Sequence, residues 1–245
     1  MQNDNEIKYY GIHTCLSLFK NRPQDIIKVY LDESNLRRFS LLLKWCSSNK
    51  KAYKKVTNLD LNKITQSIHH EGVCILAKQI TNLTFNDLLK DLKDKKSCCL
   101  IYLDNIENPH NIGSIIRTCA HFDVKYILCP TTMPPLSSST YRIAKDASFS
   151  VSMIYLNNYK KALGTLKETG FSCFATSSHY NDSIYNTKFP KKLVIIMGSE
   201  TKGISRPIEH IVDKKITIPG SNQVESLNVS VATALLIGEY WRQHE

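Results

Sequence analysis

The chain has 245 residues, of which 42% are hydrophobic and 22% are charged, and its formal net charge is +10. This composition is typical of a folded globular protein and excludes a disordered or fibrous one. The longest apolar runs, such as residues 193–197, are too short to span a bilayer, and the first residues lack the pattern of a secretory signal. We therefore expect a cytoplasmic protein without a membrane partner.

The net charge indicates which kind of partner the protein could bind, and the cysteines indicate whether it holds a metal or disulfides. A strongly basic protein is often built to bind a polyanion, although a solubilising surface gives the same charge count. The eight cysteines are scattered, and the one adjacent pair, Cys98 and Cys99, lies inside a predicted buried strand. Their spacing fits neither a zinc site nor a disulfide framework, so we predict no metal and a reducing compartment.

The first third of the chain predicts a small α/β unit. Apolar spacing predicts helices at 11–19, 36–46 and 59–68 and strands at 26–31 and 72–77. We place this domain at residues 1–80 and follow it with a charged, amphipathic linker at 81–96.

A cluster of basic and aromatic residues lies in this first domain. Such a mixture suits a nucleic-acid surface, because lysines hold phosphates while aromatic rings stack on bases. In the alternative interpretation, the tryptophan belongs to the core and the lysines form its solvated face. The sequence does not decide between these two interpretations. The cluster comprises Lys44, Trp45, Lys50, Lys51, Tyr53, Lys54 and Lys55.

From residue 97 to 245, strands alternate with helices. We predict strands at 98–103, 126–129, 150–156, 171–175, 193–197 and 215–218, and helices at 112–122, 140–147, 159–169 and 230–243. This alternation predicts an α/β fold with a parallel sheet covered on both faces. Ligands of such sheets bind in the loops that follow the strands.

Three of those loops carry the candidate site residues. In the first, N-P-H-N-I-G-S-I-I-R, Asn111 begins a helix and Arg117 lies one turn beyond Gly113. Asn at a helix start is usually a cap. The apolar neighbours of Arg117 predict a largely buried helix, and a partly buried Arg needs a carboxylate or phosphate partner.

The second and third loops follow strands near the C-terminus. In G-S-E-T-K-G, Gly198 and Gly203 allow close backbone approach to a ligand, and Glu200 between them is a candidate acceptor. In the third, Ser226 and Asn228 precede the last helix. They either cap that helix or leave its backbone groups free to bind a purine and its ribose.

Together these segments resemble the three signature motifs of the SpoU (TrmH-like) RNA ribose methyltransferases. The resemblance runs from Cys98 to the C-terminus, with all three motifs in order. Residues 1–80 also look like the substrate-recruiting domain of that family, through Y-G-I-H at 10–13 and H-H-E-G-V at 69–73. The resemblance implies a SPOUT-class domain with a C-terminal trefoil knot, working as a homodimer.

It further implies methyl transfer from S-adenosylmethionine to a ribose 2′-hydroxyl of ribosomal or transfer RNA. The family's functional positions correspond here to Asn111, Arg117, Glu200, Ser226 and Asn228. Arg117 would fix the phosphate beside the acceptor. Asn111 and Ser226 would orient the hydroxyl and Arg117, and Asn228 would shape its loop. Glu200 would anchor Arg117 or the neighbouring loop. Backbone groups around the following residues would hold the cofactor: Thr176, Gly198, Gly203, Ile218 and Leu227.

One departure from the family pattern keeps an alternative open. Where family members tend to have a Ser-x-Gly-Ala stretch, residues 143–147 read I-A-K-D-A, without glycine. This puts the local geometry and the approach of the substrate in question. The alternative is an RNA-binding protein of the same fold without methyltransferase activity. A base methyltransferase is a further rival, whereas a dinucleotide-binding dehydrogenase is excluded because G-x-G-x-x-G is missing.

Overall fold

The structure, a computed structural model, describes residues 5–178, 180–199, 202–221 and 223–244. None of the helices in these ranges combines the length and apolarity that crossing a membrane requires. The strands and α-helices are, in chain order, β1 (Glu6–Tyr10), α1 (Ile12–Asn21), β2 (Ile26–Leu31), α2 (Ser40–Ser48), β3 (Ala52–Lys55), α3 (Asn58–Thr65), β4 (Val73–Lys78), α4 (Phe85–Leu92), β5 (Cys98–Asp104), α5 (Pro109–His121), β6 (Tyr126–Pro130), α6 (Ser138–Ala144), β7 (Ser152–Leu156), α7 (Tyr159–Glu168), β8 (Ser172–Thr176), β9 (Lys192–Gly198), α8 (Arg206–Glu209), β10 (Lys214–Ile216) and α9 (Val229–His244).

The chain divides into two units, the first comprising residues 1–81 with 136–150. Its sheet has the order β1-β4-β2-β3, in which β4 runs antiparallel to both neighbours and β3 runs parallel to β2. The core contains Tyr9, Val29, Phe39 and Ile75. The sequence did not predict β1 and β3. All four residues of β3 are exposed, so it carries no apolar period and is defined by its pairing with β2.

Residues 136–150 belong to this first unit, whereas the sequence boundaries placed them in the second domain. The Thr14 hydroxyl donates to the Tyr141 carbonyl at 3.1 Å. The rings of Tyr141 and Phe149 pack on Tyr9, with centroids 4.9 and 5.7 Å from it. This segment differs from the sequence boundaries because helical spacing at 140–147 does not show which core Tyr141 joins.

Within the stretch 143–147, which lacks glycine, the backbone at one residue has a conformation that glycine favours. Lys145 has φ 55° and ψ −129°, where a Cβ atom is strained. The Ser148 hydroxyl holds the turn by donating to the carbonyls of Tyr141 at 2.9 Å and Lys145 at 2.7 Å. The chain therefore keeps a glycine-type turn with a lysine in it.

The second unit comprises residues 82–135 and 151–245 and contains a six-stranded sheet. Its order is β10-β8-β9-β5-β6-β7, and all paired neighbours are parallel. Helices α4, α7 and α8 cover the face that carries Leu100, Leu128 and Ile196. On the other face, α5 packs against α9 and brings Cys119 close to Cys99. The predicted α/β fold with a parallel sheet is confirmed.

The cysteines are free thiols. Seven of the eight are buried, and Cys98 is half-buried. Burial raises the pKa of each, to about 12 for Cys74, Cys129 and Cys173. These thiols fill space in the core and are not ionised near neutral pH.

Candidate active site

The predicted motif loops follow strands that end at one edge of the parallel sheet. β9 and β5 are adjacent and in register, with Asp104 opposite Gly198 at their carboxyl ends. β8 and β10 continue the sheet beyond β9. Since parallel strands present their carboxyl ends on the same edge, the loops that contain the three motifs begin side by side.

The first motif forms the start of α5. Asn108 caps this helix by accepting from the His110 N–H at 2.9 Å, and Pro109 follows as the first helical residue. Asn111 is buried with the inward face of the helix. Arg117 is exposed on the opposite side, so the expectation of a partly buried Arg is wrong. The helix is buried on one face only, and Arg117 lies outside that face.

The third motif joins the first through a direct hydrogen bond. Asn228 Nδ2 donates to Asn111 Oδ1 at 3.0 Å, across 117 residues of sequence. Asn228 Oδ1 accepts from the backbone N–H of Ser230 at 3.0 Å and also from its hydroxyl. Asn228 therefore caps α9 and holds Asn111 at the same time, which agrees with the capping interpretation; the binding of a purine and its ribose at this loop stays a prediction. Ser226 is exposed two residues earlier.

The second motif folds back on the end of β9. The Gly203 N–H donates to the Ser199 carbonyl at 2.8 Å, and Gly203 has φ 63°. A Cβ atom at Gly198 would lie 2.3 Å from the carbonyl carbon of Gly203. Glycine is therefore required at 198 by contact and at 203 by backbone conformation. Glu200 lies outside the described residues, so its predicted role stays a prediction.

Asp104 is a further residue of this region that the sequence analysis did not single out. Its carboxylate is buried at the end of β5 and accepts from the Ser205 N–H at 2.6 Å and from Asn105 Nδ2 at 2.9 Å. Ser205 follows the glycine-bounded turn, so Asp104 ties that turn to β5. The sequence does indicate such a role, because an acidic residue directly follows the apolar strand. A carboxylate buried at that position requires hydrogen-bond partners.

The remaining predicted cofactor positions line the same edge. The Thr176 hydroxyl donates to the Ile196 carbonyl at 3.0 Å and ties the end of β8 to β9. Ile218 is half-buried and Leu227 is exposed. Among hydrogen bonds between described residues, none involves the backbone of Ile218 or Leu227. Their N–H and C=O groups are thus available to a ligand.

The basic cluster of the first unit resolves into two parts. Trp45 is half-buried and packs edge-on against Phe19, with ring centroids 5.8 Å apart, so it belongs to the core. Tyr53 is exposed on β3 beside Lys54 and Lys55. Lys55 pairs with Glu33 at 2.8 Å. The other exposed lysines of the cluster have no ion pair in the described part of the chain, which leaves their charge available to a polyanion.

Two family models match this chain. The model of the SpoU rRNA Methylase family matches residues 99–238, more than half of the chain. A model for RNA 2′-O ribose methyltransferase substrate binding matches residues 9–83.

Curated relatives agree with the family models. The chain is 32% identical over 244 residues to the Escherichia coli O157:H7 protein named uncharacterized tRNA/rRNA methyltransferase YfiF, covering 100% of this chain and 70% of that one. It is 30% identical to the 23S rRNA (guanosine-2′-O-)-methyltransferase RlmB of Haemophilus influenzae, covering 96% of each. Two other relatives, from Haemophilus influenzae and Synechocystis, are longer, and the chain spans 66% and 62% of their length.

Among solved structures, the SpoU methyltransferase AviRb from Streptomyces viridochromogenes, in complex with the cofactor AdoMet, superposes with a TM-score of 0.79. The superposition covers 98% of this chain and 90% of that chain at 17% sequence identity. At that identity the likeness shows a shared fold.

Proposed function

Because this chain belongs to the SpoU rRNA methylase family, we propose that it transfers a methyl group from S-adenosylmethionine to a ribose 2′-hydroxyl in structured RNA. The observation that carries the proposal is the hydrogen bond between Asn228 and Asn111, which joins the first and third motifs at one edge of the sheet. Ribosomal RNA is the first substrate to test, because the RlmB relatives that match most of their length are named for it.

The loops at this edge fit the cofactor. The unpaired backbone groups of Ile218 and Leu227 can hydrogen-bond an adenine and its ribose, while their side chains cover the ring. Gly198 and Gly203 keep the second loop tight against β9. Thr176 fixes the end of β8 beside it. When bound, S-adenosylmethionine supplies an activated methyl group on a sulfonium.

The chain's own side chains act on the acceptor. The exposed guanidinium of Arg117 can bind the phosphate next to the acceptor ribose through two parallel hydrogen bonds. A guanidinium donates hydrogen bonds and accepts none, so Arg117 positions the phosphate, and that phosphate assists the loss of the hydroxyl proton. Asn111, held by Asn228, orients the 2′-hydroxyl together with Ser226. Glu200 would anchor Arg117 or the neighbouring loop.

We assign RNA recruitment to the first unit, whose exposed Tyr53 and neighbouring lysines offer a stacking ring and positive charge. The second unit would form a homodimer through α9. Val231, Leu235 and Trp241 of that helix are 49%, 38% and 46% exposed, an apolar surface that a second copy would cover. Leu236, in contrast, is fully buried in the chain's own core.

The proposed trefoil knot has support in the strand order. β10 lies at one end of the sheet, yet the next helix, α9, packs against α5 and β9 in its middle. The segment between them therefore returns from the end of the sheet to its middle, as a C-terminal knot would require. We place the activity in the cytoplasm, where ribosomal RNA is found.

Two measurements test the function. Calorimetric titration of the purified protein with S-adenosylmethionine should show saturable binding. Nucleoside mass spectrometry after incubation with unmodified ribosomal RNA should show a 2′-O-methyl ribose. Arg117→Ala should bind the cofactor normally and lose methyl transfer by about a hundredfold or more. Full transfer by that variant would refute the role of Arg117.

The same titration separates the alternative. If the wild-type protein bound bulk RNA but no cofactor, even with that RNA present, the chain would be an RNA-binding member without transfer activity. The strained backbone at Lys145, within the stretch 143–147 where family members tend to have a glycine, is the observation that favours this alternative. A methylated base instead of a methylated ribose would refute the proposed reaction while keeping the fold.

A further inference from the structure

A second cleft opens at the carboxyl edge of the parallel sheet, on the side away from β8 and β10. Strands β6 and β7 end there, and the starts of α4 and α7 form its walls together with the loop after β6. Its volume is about 790 Å³, which is within the usual range for small-molecule sites. None of the three motifs contributes a residue to its described lining.

Polar side chains without a partner among the described residues line this cleft. The carboxamides of Asn86 and Asn157 and the ammonium of Lys161 are exposed in its wall. Within the described ranges, none of these three side chains has a hydrogen bond or ion pair. A carboxamide offers both donors and an acceptor, which is what the edge of a nucleobase requires. Lys161 adds a positive charge that suits a phosphate.

The apolar part of the wall provides a stacking surface. Phe85 is half-buried at the start of α4, where it packs on the core and also lines the cleft. Met133 lies in the loop after β6 and lines the cleft together with Phe85. An aromatic ring of this kind stacks on any base, because every base has a π-face. None of the described lining residues is acidic, so a phosphate meets no repulsion from them.

We propose that this cleft binds one unpaired nucleotide of the RNA substrate, with its base stacked on Phe85, its edge bonded by Asn86 and Asn157, and its phosphate near Lys161. This inference rests on the proposed function. Only β6 separates β7 from β5, so the cleft is roughly 10 Å along the sheet from the strand that leads to Asn111 and Arg117. That spacing suits a nucleotide close to the acceptor in the same strand.

The test uses the full chain and a fluorescein-labelled, single-stranded RNA of mixed sequence, with binding measured by anisotropy. Asn86→Ala/Asn157→Ala and Lys161→Ala should each weaken RNA binding by about tenfold. Lys160→Ala is the matched control, because Lys160 is exposed on the same helix but does not line the cleft. It should bind the RNA as the wild type does. All variants should keep the wild-type affinity for S-adenosylmethionine.

Two results would overturn the proposal. The first is that the double variant and Lys161→Ala bind RNA as tightly as the wild type, or that Lys160→Ala weakens RNA binding as much as Lys161→Ala does. The other is tight binding of free adenosine 5′-monophosphate that the double variant abolishes while RNA affinity stays constant, which would make the cleft a site for free nucleotides. Failure of the proposed function shows separately, as a wild-type protein that neither binds the cofactor nor methylates RNA.

Discussion

The carboxylate of Asp104, buried at the end of β5, accepts the backbone N–H of Ser205 at 2.6 Å. The bond spans 101 residues of sequence and connects the strand that leads to the first motif with the loop of the second motif. A buried carboxylate is stable only when its oxygens are hydrogen-bonded, so the loop and the strand end stabilise each other.

Asp104→Ala should therefore loosen the second motif. We expect a loss of about 2 kcal/mol in the free energy of unfolding, because the Ser205 N–H loses a charged acceptor. The dissociation constant for S-adenosylmethionine should rise as well. Asp104→Asn keeps an oxygen for Ser205 and should lose less of both. Urea unfolding and calorimetry check this, and an alanine variant that matches the asparagine variant would contradict it.

The contact between Asn228 and Asn111 predicts energetic coupling. Asn228→Ala removes both the cap of α9 and the bond to Asn111, and should cost about 1 kcal/mol for the cap alone. Asn228→Ser keeps a capping oxygen but is too short to reach Asn111. A double-mutant cycle with Asn111→Ala should give a coupling energy of about 1 kcal/mol for alanine at 228. The same coupling should appear with serine at 228, which also breaks the contact; a coupling that disappears with serine would show that the cap, and not the contact, is responsible.

The glycines near the cofactor loops should differ in their tolerance of alanine. Gly198→Ala should abolish cofactor binding or folding, because its Cβ would lie 2.3 Å from the Gly203 backbone. Gly203→Ala meets no atom but has φ 63°, so it should cost about 1 kcal/mol. Gly220→Ala has open space and no such φ, and serves as the control. Thermal unfolding and calorimetry measure the order of these effects on stability and cofactor affinity. Equal effects of alanine at 198 and at 220 would contradict the prediction.

Lys145→Gly should stabilise the protein. The turn at Lys145 has φ 55° and ψ −129°, and removing the Cβ relieves strain that exceeds the added freedom of the unfolded chain. We expect a gain of about 1 kcal/mol in the free energy of unfolding. Lys145→Ala retains a Cβ and should show no gain. Equal stability of the glycine and alanine variants in urea would rule out backbone strain at this turn.

The buried thiols predict a loss of stability in alkali. Burial raises the pKa of Cys129 and Cys173 to about 12, whereas a thiol in the unfolded chain ionises near about 8.5. The stabilisation from burying the protonated thiols is complete below the pKa of a thiol in the unfolded chain. It is lost as the pH rises from that value toward the pKa of the thiols in the folded protein. Urea unfolding under reducing conditions should thus show falling stability above about pH 9. Cys173→Ala should flatten that slope, and a constant stability up to pH 10 would contradict the prediction.

Short-range patterns predicted the elements of the parallel sheet because each strand is an apolar run that ends in Gly, Pro or a polar loop. Long-range choices were not predictable in this way. β3 exists because β2 offers it a partner. Tyr141 joins the core of the first unit because Tyr9 lies there. The motifs identified Asn111 and Asn228 individually, but their direct contact depends on how the C-terminal segment returns to α5.

β3 also bears on the behaviour of the protein in concentrated solution. It is one of the two edge strands of its sheet, and both its faces are exposed. An open strand edge is a template for pairing with another chain, and lysines along it oppose such pairing through charge repulsion. Lys54 and Lys55 therefore oppose aggregation through their charge, independently of any RNA that they bind. Replacing them to weaken RNA binding would also remove that protection, so light scattering belongs beside any binding assay of those variants.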